Sequence, residues 1–321
     1  HRHTQITDVI WEGRFFRRTS ICWGGNRMER KTTSFRQGWP YILMILPTFL
    51  LLGLVTFYPA LYNIWLSFRN ESLRTTVSQF VGLANYRRVL LDPFFWGALG
   101  RTVVYMLASL VLRVVLGLVL ALLLNIPQKG RSLARTAILL PWVLSEIIVT
   151  AMWLWILDHR TGLLNGLLAT VKLGPYGWLV YPGMAMATII MVSLWKNLAF
   201  SFLLLFAALQ QIPLDLYDSG KIDGCSPLGL IRYITLPLIR RTITIVTIMV
   251  SISAFGQFSM VYSLTGGGPL RSTELVGLYM YQQAFNFLDI GYGAAIAMVI
   301  FLINIALSLV YYYALRSESL Y

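Results

Sequence analysis

Histidine, cysteine and charge are all scarce in this sequence of 321 residues, and each shortage narrows what the chain can do. The three histidines are His1, His3 and His159, two of them in a basic tail, so no Ser-His-Asp set can be drawn from them. Only Cys22 and Cys225 are present. Both fall in segments placed below on the cytosolic side, which argues against a disulfide and leaves a metal site short of ligands. Charged residues make up 12% against 57% hydrophobic, far from the roughly quarter-charged average of soluble domains. The glycine-rich stretch Gly266-Gly267-Gly268-Pro269-Leu270-Arg271-Ser272-Thr273 lacks a Lys at the offset a phosphate-binding loop requires, and reads as turn chemistry.

What remains is apolar mass, with a mean hydropathy of +0.67. It is divided into runs of roughly twenty residues or more, each long enough to cross a hydrocarbon core as a helix. Helices satisfy their own backbone hydrogen bonds, so the fold class expected is all-α, a polytopic bundle in a lipid bilayer. Six spans are predicted, over 40–68, 98–124, 133–157, 184–209, 239–263 and 290–315. Pro59 is expected to bend the first. The turn Ile126 to Arg131 is short enough to make the second and third antiparallel neighbours.

The net charge of +13 follows ordinary membrane topology rather than pointing to nucleic acid. With both termini inside, the inner segments hold about twice as many basic residues as the outer loops, although Arg69, Arg74, Arg87 and Arg88 run against the rule. Residues 1–39 form a cytosolic arm in which Arg14, Arg17, Arg18, Arg27, Arg30, Lys31 and Arg36 alternate with aromatics. It either lies in the headgroup layer or is a loosely ordered basic tail. It has no apolar core of signal-peptide type, and a start at His1 rather than Met fits a trimmed beginning. Residues 40–321 form the membrane domain.

Three ionisable residues fall inside the predicted spans, Arg113, Glu146 and Lys196. Such residues mark a pathway or a buried pair. Arg113 and Glu146, near the middle of neighbouring spans, are expected to form a salt bridge, or else to line a path. Ser193, Asn197 and Phe200 share one helix face, with Trp195 and Lys196 beside them, and Ser253 and Gln257 repeat the arrangement on the fifth span. Polar groups beside an aromatic ring suit a sugar. The same groups also serve as glue between helices.

Between the fourth and fifth spans lies a polar island, Asp215 to Pro237, within the loop 210–238. Asp215 has N-cap chemistry, and Asp218 sits three residues on in capping-box spacing. A short helix follows through Tyr217, Asp218, Ser219, Gly220, Lys221 and Ile222, with a stop at Asp223, Gly224, Cys225, Ser226 and Pro227. Ser219 and Gly220 weaken it, and a helix so short is marginal alone. It therefore docks into something, and its isolation favours a partner protein.

These residues resemble the permease subunits of bacterial carbohydrate ABC importers, of the maltose and glycerol-3-phosphate type. The likeness is carried by Asp218-Ser219-Gly220, Asp223-Gly224-Cys225-Ser226-Pro227 and Ile234-Thr235-Leu236-Pro237-Leu238, which match the family's coupling loop, with Ser219 and Gly220 in place of two alanines. Tyr58-Pro59-Ala60-Leu61-Tyr62, Phe80-Val81-Gly82-Leu83-Ala84-Asn85-Tyr86 and Leu264-Thr265-Gly266-Gly267-Gly268-Pro269 extend it from about residue 40 onward. The resemblance implies a non-catalytic subunit without its own cofactor, in the bacterial inner membrane. Its implied partners are a second homologous permease subunit, two cytosolic ATPases that bind ATP and Mg, and an extracytoplasmic solute-binding protein. It further implies sugar contacts at Ser193, Asn197, Phe200, Val250, Ala254 and Gln257, of which Val250 and Ala254 offer no polar side chain.

Two other readings compete. A membrane enzyme acting on lipid-linked phosphate would use Asp215, Asp218 and Asp223 on Mg, but a second acidic cluster on that side is wanting. A secondary transporter would carry internal repeats and helices broken at midplane, and neither stands out.

Overall fold

A computed structural model describes residues 35–74 and 78–316, with side chains from 43 to 313 apart from 75–77. The basic arm up to residue 34, including Cys22, lies outside the described residues. The chain divides between Thr56 and Phe57 into two compact units. The first carries α1 (Phe35–Leu52) and the start of a π turn over Gly53–Phe57.

The second unit begins with α2 (Tyr58–Ser67) and a two-stranded ribbon, β1 (Arg69–Asn70) against β2 (Gln79–Phe80). Then come α3 (Ala84–Leu91), α4 (Pro93–Asn125), α5 (Arg131–Val143), α6 (Glu146–Ile156), α7 (Leu163–Thr170) and α8 (Pro182–Leu209). The short α9 (Leu214–Ile222) is followed by α10 (Pro227–Leu230), a π turn over Ile231–Thr235 and α11 (Leu236–Phe255), which together make one long helix. Last are α12 (Ser259–Thr265), α13 (Val276–Tyr281), a π turn over Gln282–Asn286 and α14 (Ile290–Arg316).

Among the described residues, five helices are long and apolar enough to cross a membrane, and a sixth if the bent pair α5 and α6 is one span. The chain is thus a multi-pass α-helical membrane protein. Three span boundaries differ from expectation. The second starts at Pro93 because Asp92 caps it, its carboxylate accepting from Phe94 N at 2.9 Å. The fifth runs over Pro227–Phe255 instead of 239–263, so the segment expected to be loop up to Leu238 is already helix, and α12 stands apart after Gly256.

The third is not one helix, since α5 and α6 meet at 103°. Pro59 and Pro237 each follow a π turn that contains the residue four positions earlier, Val55 and Tyr233. Proline lacks an N–H and its ring crowds that carbonyl, and widening the turn by one residue relieves both.

The core sits between α4 and α8. Tyr105 meets Ser193 and Gly117 meets Ser201, so the two run parallel. A side chain at Gly117 would lie 3.2 Å from Ser201 Cβ, which is the close approach that small residues permit in membranes. Phe202, Leu205, Ile239 and Val246 close one apolar cluster, and Phe95, Ile189, Tyr279 and Ile296 belong to another.

Candidate functional site

The polar island folds as a short helix with defined ends. α9 starts at Leu214 behind Pro213, so Asp215 lies in its first turn and caps nothing, and Asp218 pairs with Lys221 at 2.8 Å instead of closing a capping box. Pro213 occupies the cap position two residues ahead of the expected cap, Asp215, so the helix is already under way there. At the other end Gly224 takes φ +80°, Cys225 N donates to Gly220 O at 2.9 Å and Gly224 N to Lys221 O at 3.1 Å. Those two bonds are the Schellman pattern, which only a residue free to adopt a left-handed conformation closes without strain. Ser226 then caps α10, accepting from Gly229 N at 3.2 Å.

Two contacts fix α9 to the helix that follows. Gly220 is buried so closely that a side chain there would come within 2.7 Å of Leu230 Cδ2 and 2.9 Å of Ile234 Cδ1. The Tyr217 hydroxyl lies 3.0 Å from Thr235 Oγ1. Other side chains are bare, with Leu214 and Ile222 of α9 and Leu228 of α10 exposed, Ile222 at 86%. Asp223, Ser219 and Pro227 are exposed too, and Cys225 is half-buried. The arrangement is a handle-shaped short helix, packed on a long one through Gly220 and Tyr217 and offering apolar side chains outward.

Inside the spans, the structure rearranges the expected partnerships. Arg113 does not pair with Glu146. The break at Leu144 and Ser145 puts Glu146 in the first turn of α6, while Arg113 turns to α8 and donates to Ser193 Oγ at 2.6 Å. Ser193 is wholly buried and also meets the Tyr105 hydroxyl at 2.5 Å, so it joins α4 to α8 and faces no open space. Asn197 donates to the Ser193 carbonyl at 3.0 Å, and Ser253, though exposed, donates to the Val250 carbonyl at 2.8 Å. Val250 and Ala254 are buried. Gln257 sits in the gap between α11 and α12 with its amide nitrogen buried and unpartnered.

Trp195, Lys196 and Phe200 converge on the broken span. Trp195 stands edge-on to Trp153 of α6 at 5.6 Å, Phe200 lies 6.5 Å from Trp142 of α5, and Lys196 Nζ donates to the Leu144 carbonyl at 2.9 Å.

At the far end of α4 from α9 lies a cluster that sequence reasoning missed. Asp92 accepts from the hydroxyls of Tyr279 and Tyr292, the latter at 2.7 Å. Arg101 donates to the Glu274 carbonyl at 3.0 Å, and Arg271 pairs with the Glu274 carboxylate at 2.7 and 3.1 Å. Burial would raise the Asp92 pKa, but the two tyrosine bonds and the N–H groups of Phe94 and Phe95 outweigh it and hold the carboxyl below its usual range. Burial first, and Asp92 second, push Tyr279 up to about 12. The signal available in the sequence was Asp92-Pro93, a cap followed by a first-turn proline. A cleft of about 490 Å³ opens beside the cluster, between Gly267, Arg271 and Gln282.

Residues 113–317 match the family of binding-protein-dependent transport system inner membrane components. The chain belongs to that family. It is 32% identical over 278 residues to the sulfoquinovosyl glycerol transport system permease protein SmoG of Agrobacterium fabrum, covering 86% of this chain and 90% of the relative. It is 34% identical over 287 residues to the trehalose/maltose transport system permease protein MalF of Thermococcus litoralis, covering 88% and 97%. Among solved structures, a chain of a bacterial alginate ABC transporter in complex with an alginate-bound periplasmic protein superposes with a TM-score of 0.78 at 21% identity, over 89% of this chain and 96% of that one. The resemblance to carbohydrate ABC importer permeases therefore holds, and the transport component is preferred over the membrane enzyme and the secondary transporter. This inner-membrane permease component carries its family match from Arg113 through the handle to the last span.

Proposed function

We propose that the permease imports a sugar or oligosaccharide as one of two homologous membrane subunits. Two cytosolic ATPases holding ATP and Mg drive it, and an extracytoplasmic solute-binding protein supplies it. Ser219, Gly220 and their neighbours from Asp215 to Pro227 are the ATPase-facing handle, which sits in the cytosol with both termini. The observation that carries this reading is the geometry of α9. One face is fixed to the long helix through Gly220 and Tyr217, while Leu214, Ile222 and Leu228 are presented outward. Motion imposed on the exposed face is therefore delivered to a span, as alternating access requires.

The sugar class is supported by the names of SmoG and MalF, and by the polar side chains of Asn197 on α8 and Gln257 in the gap between α11 and α12. Catalysis of ATP hydrolysis belongs to the partners, and nucleic acid has no part.

Replacing Ile222 with Glu places a charge on the bare face without touching the Gly220 or Tyr217 contacts. The variant is expected to insert normally while its ATPase subunits fail to co-purify. An Ile222→Glu chain that retained full ATPase association and transport would overturn the handle's role.

A further inference from the structure

Breaking a helix at membrane depth leaves polar backbone groups that lipid cannot satisfy. α5 ends at Val143; Leu144 (φ −69°, ψ 141°) and Ser145 (φ −60°, ψ 143°) are extended, and α6 departs at 103°. The end of α5 carries the negative pole of a helix dipole, and the start of α6 the positive pole. Each meets the opposite charge. Glu146 occupies the first turn of α6, and the ammonium of Lys196, 7% exposed, reaches the Leu144 carbonyl at 2.9 Å.

No carboxylate among the described residues pairs with Lys196, so its direct partner is that carbonyl. On either side of it, Trp195 against Trp153 and Phe200 against Trp142 attach both halves of the broken span to α8. α8 in turn runs on, through residues 210–213, into α9.

We propose that Lys196 is the positioning residue of the broken third span. Where other broken helices gather a free cation at the exposed carbonyl end, this chain supplies a tethered one from α8. The ammonium holds the bend and makes α5 and α6 follow α8. Displacement of the handle is thus passed through α8 to the broken span. Its coupling consequence rests on the function proposed above, whereas the bend does not.

The test uses the complete importer in lipid nanodiscs, with spin labels on genetically encoded keto amino acids at Leu133 and Trp155, both exposed at the outer ends of the two half-helices. Lys196→Met is expected to shift or broaden the distance between the labels, and Lys196→Arg, which keeps the charge, to restore it. In the same preparation, sugar transported per ATP hydrolysed should fall about tenfold in Lys196→Met, equivalent to about 1.4 kcal/mol, and recover in Lys196→Arg.

An unchanged distance in Lys196→Met overturns the proposal. So does a shifted distance that Lys196→Arg fails to restore. If Lys196→Met does not assemble, Lys196→Gln, a neutral donor, is compared with Lys196→Arg by the same two readings. Failure of ATPases to bind the unmodified chain would remove the proposed function and leave the distance comparison standing.

Discussion

Gly220 and Gly291 look interchangeable in sequence, yet their neighbours demand different things of them. A methyl at Gly220 would press on the tips of Leu230 and Ile234, which can move. A methyl at Gly291 would sit 2.1 Å from the Arg69 carbonyl and 3.0 Å from Glu71 N, which are backbone. Gly220→Ala is therefore expected to be nearly neutral, its helix-propensity gain of about 1 kcal/mol offsetting the small shift. Gly220→Leu should overpack and lose about 1–3 kcal/mol, and Gly291→Ala should be worse than Gly220→Ala. Thermal unfolding in detergent ranks the three, and equal melting points would sink the explanation. Sequence alone marked Gly220 as a weak point in a helix, because propensity is local. Its reason for being glycine lies ten and fourteen residues away, in Leu230 and Ile234. Arg113 teaches the same lesson: a buried cation was legible, but which neighbour it faces depends on the rotation of α4 about its axis.

At the level of elements, α9 was legible and the third span only half so. The stop at Gly224 needed a left-handed residue followed by a new cap, and Gly224 with Ser226 supplied both signals in order. The third span passed as continuous because hydropathy averages over a window longer than the break. The local signals were there all the same, with Pro141 in the last turn of α5 and Ser145-Glu146 as the start of another helix. The link between α9 and its span can be measured. Removing the Tyr217 hydroxyl with Tyr217→Phe should cost about 0.5–1.5 kcal/mol. A double-mutant cycle with Thr235→Val should show coupling of that order, whereas additive effects would mean the two hydroxyls do not interact.

In the whole molecule, Asp92 gathers the start of α4, α13 and α14 at one point, and this junction should respond to pH. Its carboxyl is held below the usual carboxylate range, so its contribution is present above about pH 4 and is lost as the pH falls through the lowered value. Tyr279 is shifted the other way, to about 12, so its neutral hydroxyl remains a donor past the ordinary tyrosine range and is lost only as the pH rises through about 12. Unfolding of the purified permease on acidification should thus begin at a higher pH in Tyr279→Phe, which withdraws one of the bonds that lower the Asp92 value. An identical acid profile would show that the junction does not titrate. The sequence carried a signal for the Asp92 cap alone, in Asp92-Pro93, since the other members come from segments that only the tertiary fold unites.

Tyr279 stands 187 positions after Asp92 in the chain. A ribosome adding about 5–20 residues per second needs about 10–40 s to cover that interval. For all that time the carboxylate at the head of α4 must wait outside the lipid without its tyrosines, so this corner of the permease is fastened only when the protein is nearly complete.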